Sequence, residues 1–273
     1  MSTTDHRPRS SAELDALARE LLEAFESGTA VEPLTERPGG LDVDDAYRVQ
    51  QRLVAGHAAA GRTVAGRKIG LTSLAMQRQL GVDEPDFGVV LDSHLFADGA
   101  TFDPAAQRMV APRLEPELAF VLGEELRGPG LTVEQVLAAT AEIVPVFEVI
   151  DSRVVDWRIT LPDTIADNAS CFGAVLGAAV PLDAVGDLRE IEVVMTHDGD
   201  EVGRATGEAV LGHPAKAVAW LAEAVGRFGE ALPVGQPILA GSFTAAVPAA
   251  PGAYEARFSG AVGTVTATVG TTR

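Results

Sequence analysis

The sequence predicts an α+β protein with a small helical N-terminal unit over residues 1–62 and a β-rich domain over residues 63–273. The β core is expected to be mixed, mostly antiparallel, and rolled or sandwich-like. Three observations lead there. Two segments of helical periodicity come first, and from Thr63 onward short β-branched runs are broken by Gly, Pro and Asp. The regular strand–helix alternation of a doubly wound parallel sheet is also missing.

The elements follow in order. Leu14, Leu17, Ala18, Leu21, Leu22 and Phe25 recur at helical spacing, and Gly28 is the stop signal. A proline-rich link leads to Asp42, the N-cap of a second helix carrying Ala46, Tyr47, Val49, Leu53 and Val54 and ending by Gly61. Strands are expected over residues 64–71 and 87–91, with a short helix over 73–80 between them. Residues 114–122 alternate: Leu114, Pro116, Leu118, Phe120 and Leu122 face one way, and Glu115, Glu117, Ala119 and Val121 the other. A helix over 132–140 precedes an apolar β-branched run over 141–150. Strands are then expected over 170–180 and 191–197, a helix over 213–228, and strands with glycine turns over 237–269. There is no internal repeat.

Bulk composition narrows the function. With 39 acidic against 21 basic residues and a formal charge of −18, the chain repels phosphate backbones, which argues against nucleic-acid binding. The same field opposes an anionic substrate, so such a substrate needs a local cation or metal. One cysteine, Cys171, excludes an intramolecular disulfide and favours a reducing compartment. Residues 1–11 are polar, unlike a signal peptide, and the longest apolar passage, 171–182, contains Gly173, Gly177 and Pro181. A soluble, cytoplasmic protein that does not enter membranes is the expectation.

The candidate chemistry sits in the β-rich domain. Glu115 and Glu117 are two apart on a strand, so both carboxylates leave the same face and repel unless something positive lies between them. A divalent cation is one remedy, and a solvated strand face is the other reading. Glu148 lies within the apolar run Ile143-Val-Pro-Val-Phe-Glu-Val-Ile150, where an unpaired carboxylate bears a large desolvation cost. It is either a third metal ligand or ion-paired to Arg153 or Arg113. Lys68 in Gly66-Arg-Lys-Ile-Gly70 is a partly buried proton carrier or carboxylate anchor, or else a surface lysine at a strand end. Asp86 can form a turn and Ser170 can be a loop hydroxyl. Cys171, among Phe172, Gly173 and Ala174, reads as a buried inert thiol. The five histidines show no zinc spacing, and no phosphate-binding glycine loop is present.

Taken in order, several motifs resemble the hydratase/decarboxylase family of aromatic meta-cleavage pathways, within the fumarylacetoacetate hydrolase superfamily. They are Gly66-Arg-Lys-Ile-Gly-Leu-Thr-Ser73, Gln79-Leu-Gly-Val-Asp-Glu-Pro-Asp-Phe-Gly88, Pro112-Arg-Leu-Glu-Pro-Glu-Leu-Ala-Phe120, Glu148-Val-Ile-Asp-Ser-Arg153, Asp163-Thr-Ile-Ala-Asp-Asn-Ala-Ser170 and Leu211-Gly-His-Pro214. The resemblance spans roughly residues 12–269. It implies a β-roll fold with a helical N-terminal part, and Mg²⁺ or Mn²⁺ held by Glu115, Glu117 and Glu148. It further implies catalytic roles for Lys68, Asp86 and Ser170. Substrate contacts are expected from Lys68, Arg113 and Ser170. Pro116 stands where the family pattern carries alanine; it removes a ladder donor but leaves both carboxylates on one face.

The activity that the resemblance implies is hydration of 2-hydroxypenta-2,4-dienoate (2-oxopent-4-enoate), or a close homologue, to a 4-hydroxy-2-oxo acid. The alternative is decarboxylation of 2-oxo-3-hexenedioate (4-oxalocrotonate), which shares every motif. A closed homo-oligomer is expected, and pairing with an enzyme of the same pathway is a further expectation.

Overall fold

The computed structural model describes residues 9–73, 77, 82 and 84–270. Helix α1 (Ser11–Ser27) starts at a capping box between Ser10 and Glu13 and stops at Gly28, whose φ of 70° suits a residue without a Cβ. Helix α2 (Val43–Ala59) begins where the Asp42 side chain accepts the Asp45 N–H. Three further helices follow among the described residues: α3 (Val133–Ala139), α4 (Leu161–Ala166) and α5 (Pro214–Gly226). The helix expected over 73–80 falls mostly outside the described residues.

The strands are β1 (Val64–Gly70), β2 (Asp86–Leu91), β3 (Leu95–Ala97), β4 (Ala100–Phe102) and β5 (Arg113–Leu122). Next come β6 (Thr140–Ile150), β7 (Cys171–Leu176), β8 (Val180–Pro181), β9 (Glu192–His197) and β10 (Asp200–Thr206). The last are β11 (Pro237–Leu239), β12 (Val247–Pro248), β13 (Gly252–Phe258) and β14 (Gly263–Val269). One sheet runs β2-β1-β11-β5-β6-β7-β3, with β12 joining β5 and β8 joining β6; the other runs β10-β9-β13-β14-β4. Pairing is antiparallel except for β1 with β11, β3 with β7 and β4 with β14. The expected mixed, mostly antiparallel core is therefore present.

Both faces of the large sheet are buried, which explains its unbroken apolar runs. One face of β5, with Leu114, Leu118 and Phe120, shares a core with Val193, Met195, Tyr254 and Val265 of the smaller sheet. The opposite face is concave. Val90 of β2, Leu239 of β11, Ala119 of β5, Val144 and Val146 of β6 and Ala174 of β7 meet there in one cluster. The sheet thus curls until β2 approaches β7, yet no strand pairing joins the two. Helices α1 and α2 pack with α4 through Leu14, Leu21, Val49, Leu53, Leu161 and Ile165. The Asp163 carboxylate ties the link before α2 to α4, accepting from the Thr35 N–H and hydroxyl at 3.0 and 2.6 Å.

Pro116 occupies a gap in the ladder. On the side of β5 away from β6, β11 pairs with residues 119–121 and β12 with 113–114. The Pro116 carbonyl points to that side and accepts the Phe243 N–H at 3.1 Å. The missing donor therefore falls where no strand needs it. The strand expected over 170–180 is shorter, Cys171–Leu176: Ser170 is left-handed, and after Leu176 the chain leaves the strand at Gly177 before Val180 opens β8. Strand β10 was not anticipated: its residues are polar and exposed, so apolar alternation gives no signal. Among the described residues, no helix is long and apolar enough to cross a membrane.

Candidate active site

The antiparallel register of β5 and β6 sets Glu115 directly opposite Glu148, with Glu117 two residues along on the same face. One oxygen from each carboxylate lies within 4.8 Å of the others. Like charges facing each other across a ladder destabilise a sheet, and here burial compounds the repulsion. Glu117 is 1% exposed and Glu148 fully buried. Burial, then Glu148, pushes Glu115 up to about 8. Burial raises Glu117 well above the usual carboxylate range, with Glu148 and Glu115 adding to it. Burial raises Glu148 as well, although Lys68 pulls the other way. Glu117 Oε2 accepts the Gly241 N–H at 2.8 Å. Neither Glu148 oxygen has a hydrogen bond of good geometry.

Lys68 is not a surface residue. Its side chain is 4% exposed, and Nζ lies 3.2 Å from Glu148 Oε1 while donating to the Ala169 carbonyl at 2.9 Å. Burial opposes its charge, but Glu148 and Asp86 outweigh burial and raise its pKa. The sequence left Arg153 and Arg113 as alternative partners of Glu148, and neither takes that place. Arg153 pairs with Asp167 at 2.5 Å. Arg113 instead lies 4.3 Å over the Trp157 ring, a cation–π geometry.

Asp86 is a buried strand residue rather than a turn former. It opens β2 opposite Gly70, and its Oδ2 accepts the Thr164 hydroxyl at 3.1 Å. Its Oδ1 has no partner, and burial raises its pKa. A Cβ at position 70 would come within 2.2 Å of that oxygen, which explains the glycine closing the Gly66–Gly70 motif. Ser170 is buried, with its hydroxyl 3.4 Å from Asp167 Oδ2. Cys171 is a buried free thiol, raised by burial, as its neighbours suggest.

Lys68, Asp86, Arg113, Glu115, Glu117 and Ser170 line one cavity of about 370 Å³, and Glu148 is in contact with the lining residue Lys68. Thr72, Trp157, Thr164, Ser242 and Thr244 complete the polar wall. Sequence reasoning missed Trp157, Thr164 and Gly241. Thr164 lay inside a recognised motif, but nothing local marks Trp157 or Gly241, which arrive through loops. The residues present fit a hard divalent cation. All donors are oxygens, three converge, and the buried Glu148 oxygens lack hydrogen bonds of good geometry.

This rolled sheet with acids at one end of its concave face defines the class. The chain belongs to the fumarylacetoacetate (FAA) hydrolase C-terminal family, whose model matches residues 65–269. Within it, the chain is 43% identical over 239 residues to the 2-hydroxyhexa-2,4-dienoate hydratase of Comamonas testosteroni, covering 88% of this chain and 90% of the relative. It is 42% identical over 208 residues to the 4-oxalocrotonate decarboxylase of Pseudomonas sp. (strain CF600), covering 76% and 78%. Among solved structures, the 4-oxalocrotonate decarboxylase of Pseudomonas putida G7, complexed with magnesium and adipate, superposes with a TM-score of 0.92. That pair is 35% identical, over 96% of this chain and 99% of the other. The same protein has also been solved with calcium and acetate.

Proposed function

We propose that this chain is a divalent-metal-dependent hydro-lyase of aromatic meta-cleavage catabolism, converting 2-hydroxypenta-2,4-dienoate or a close homologue to a 4-hydroxy-2-oxo acid. The observation that carries the reading is the convergence of three carboxylates with one buried ammonium beside a cavity that Glu115, Glu117 and Lys68 line. Hydratase relatives at 40% identity or more support the choice of reaction.

Glu115, Glu117 and Glu148 would hold Mg²⁺ or Mn²⁺. When bound, the ion supplies Lewis-acid polarisation of the substrate's carboxylate and 2-oxygen. Three carboxylates around a divalent charge leave the site near −1, so an anionic substrate needs a further cation. Lys68 provides it, anchoring the substrate carboxylate or carrying a proton. Ketonisation moves a proton to the far end of the diene, and water then adds at C4. Asp86, with one free buried oxygen and a raised pKa, is suited to hold and release that proton. Ser170 lines the same cavity and orients substrate or water.

One observation favours a second reading, the decarboxylase. Among the described residues Arg113 makes no ion pair, although it lines the cavity, so it can receive a second substrate carboxylate. Product analysis separates the two. With Mg²⁺ or Mn²⁺ present, the hydratase yields a 4-hydroxy-2-oxo acid from 2-hydroxypenta-2,4-dienoate and no CO₂ from 2-oxo-3-hexenedioate. The opposite pattern establishes the decarboxylase. The family resemblance also supports a closed homo-oligomer, with or without a partner enzyme of the pathway.

A further inference from the structure

We infer that Asn168 is a positioning residue for the reaction: its carboxamide closes the open seam of the rolled sheet and so fixes the carbonyl that aims Lys68. The inference rests on the reading of Lys68 as a group that acts on substrate.

The seam is the outer edge of β2, which no strand covers among the described residues. Asn168 Oδ1 accepts the Val89 N–H at 2.8 Å and Nδ2 donates to the Val89 carbonyl at 2.9 Å. Those are the two bonds that a residue of a neighbouring antiparallel strand would make. One side chain therefore stands in for a strand and links β2 to the segment that enters β7.

That segment is strained. Asn168, Ala169 and Ser170 have φ of 57°, 50° and 52° in succession. Asparagine tolerates this region, but alanine and serine rarely adopt it. The conformation persists because its surroundings over-determine it. Arg153 grips Asp167 through its backbone N–H, Nε and Nη2, while Ser170 accepts from the Asp151 N–H at 2.9 Å. Gly88 is part of the same fit: a Cβ there would lie 2.4 Å from the Asn168 carbonyl oxygen.

The product of this strained arch is one placed group. The Ala169 carbonyl accepts from Lys68 Nζ at 2.9 Å. An ammonium has three donors. Ala169 takes one and Glu148 faces another, leaving the third for the cavity that Lys68 lines. If the arch shifts, the third donor loses its aim while the three glutamates keep theirs.

The test is a double-mutant cycle between Asn168→Gly and Lys68→Met, read as kcat/KM together with Mn²⁺ affinity. Glycine adopts the left-handed backbone without strain, so Asn168→Gly removes the two side-chain bonds and not the conformation. We expect Asn168→Gly to lower kcat/KM by about tenfold or more, as a misplaced catalytic group does, with Mn²⁺ affinity unchanged. In the Lys68→Met background the same substitution should cost less than about twofold. An equal loss in both backgrounds, or no loss in either, overturns the inference, because a structural role does not depend on Lys68. Should Asn168→Gly fail to fold, Asn168→Asp keeps the acceptor for the Val89 N–H and sets an oxygen in place of the donor against the Val89 carbonyl, and is judged by the same rule. A Lys68→Met single variant with full activity refutes the underlying reading of Lys68 instead, and is recognised without any Asn168 variant.

Discussion

Lys68 Nζ lies 3.2 Å from Glu148 Oε1, although the two residues sit on strands separated by two others in the sheet order. Curvature brings them together across the concave face. The pair leaves Glu148 without a well-formed hydrogen bond, so the ammonium balances charge without completing the carboxylate's coordination.

Glu148→Gln is therefore expected to weaken Mn²⁺ binding by about tenfold or more, on the scale of disrupted metal shells, and to abolish most activity. Calorimetric titration checks the first and steady-state assay the second. Full activity in this variant, or ion density away from Glu115, Glu117 and Glu148 in a metal-soaked crystal, would falsify the ligand assignment.

Lys68→Met should behave differently. Removing a cation from beside three carboxylates leaves metal affinity unchanged or tighter, while kcat/KM falls by roughly 10², comparable to a lost acid–base group. Metal loss in step with activity would show that Lys68 organises the ligands instead.

Metal affinity should rise with pH. Burial and Glu148 push Glu115 up to about 8, and burial also raises Glu117 well above the usual carboxylate range. Ligands bind as carboxylates, so binding between pH 6 and 8 displaces protons and loses about tenfold in affinity per unit of acidification for each proton released. A pH-independent affinity with no proton release in buffers of different ionisation enthalpy would contradict this picture.

Away from the site, His57 predicts acid sensitivity. Its ring is 3% exposed and packs edge-on to Phe25, with Arg62 Nη1 3.1 Å from Nδ1. Burial, then Arg62, depresses its pKa to about 3. A base depressed in the folded state stabilises the fold above its unfolded pKa near 6.5, and that contribution is lost as pH falls toward 3. Between pH 6.5 and 5 the loss is about 2 kcal/mol. Urea unfolding at the two pH values should show it, and His57→Phe should flatten the slope.

The family resemblance predicts assembly into a closed homo-oligomer. Sedimentation at micromolar concentration returning only the 28.4 kDa monomer would exclude it.

Much of this was legible in the chain itself. Asp42, read as an N-cap, sits at the observed start of α2, because caps act within one turn. The period-two alternation of β5 sorted its two faces correctly, since the pleat permits no other arrangement. Glu115 and Glu117 therefore share a face by local geometry alone. That Glu148 faces Glu115 is a matter of register between strands, which no local pattern specifies.

The partners of the charged groups were decided later still. Arg153 stands five residues from Glu148 in sequence, yet it turns to Asp167, while Lys68 arrives from 80 residues away. Charge pairing depends on which side chains share a low-dielectric space, and only the curl of the sheet determines that. The chain by itself determined which residues bear carboxylates, where its local elements begin and which way each strand faces. The tertiary structure decided which carboxylates meet, which cation answers them, and that one asparagine side chain spans the seam between β2 and β7, because each of these needs segments distant in sequence to be fixed in one place.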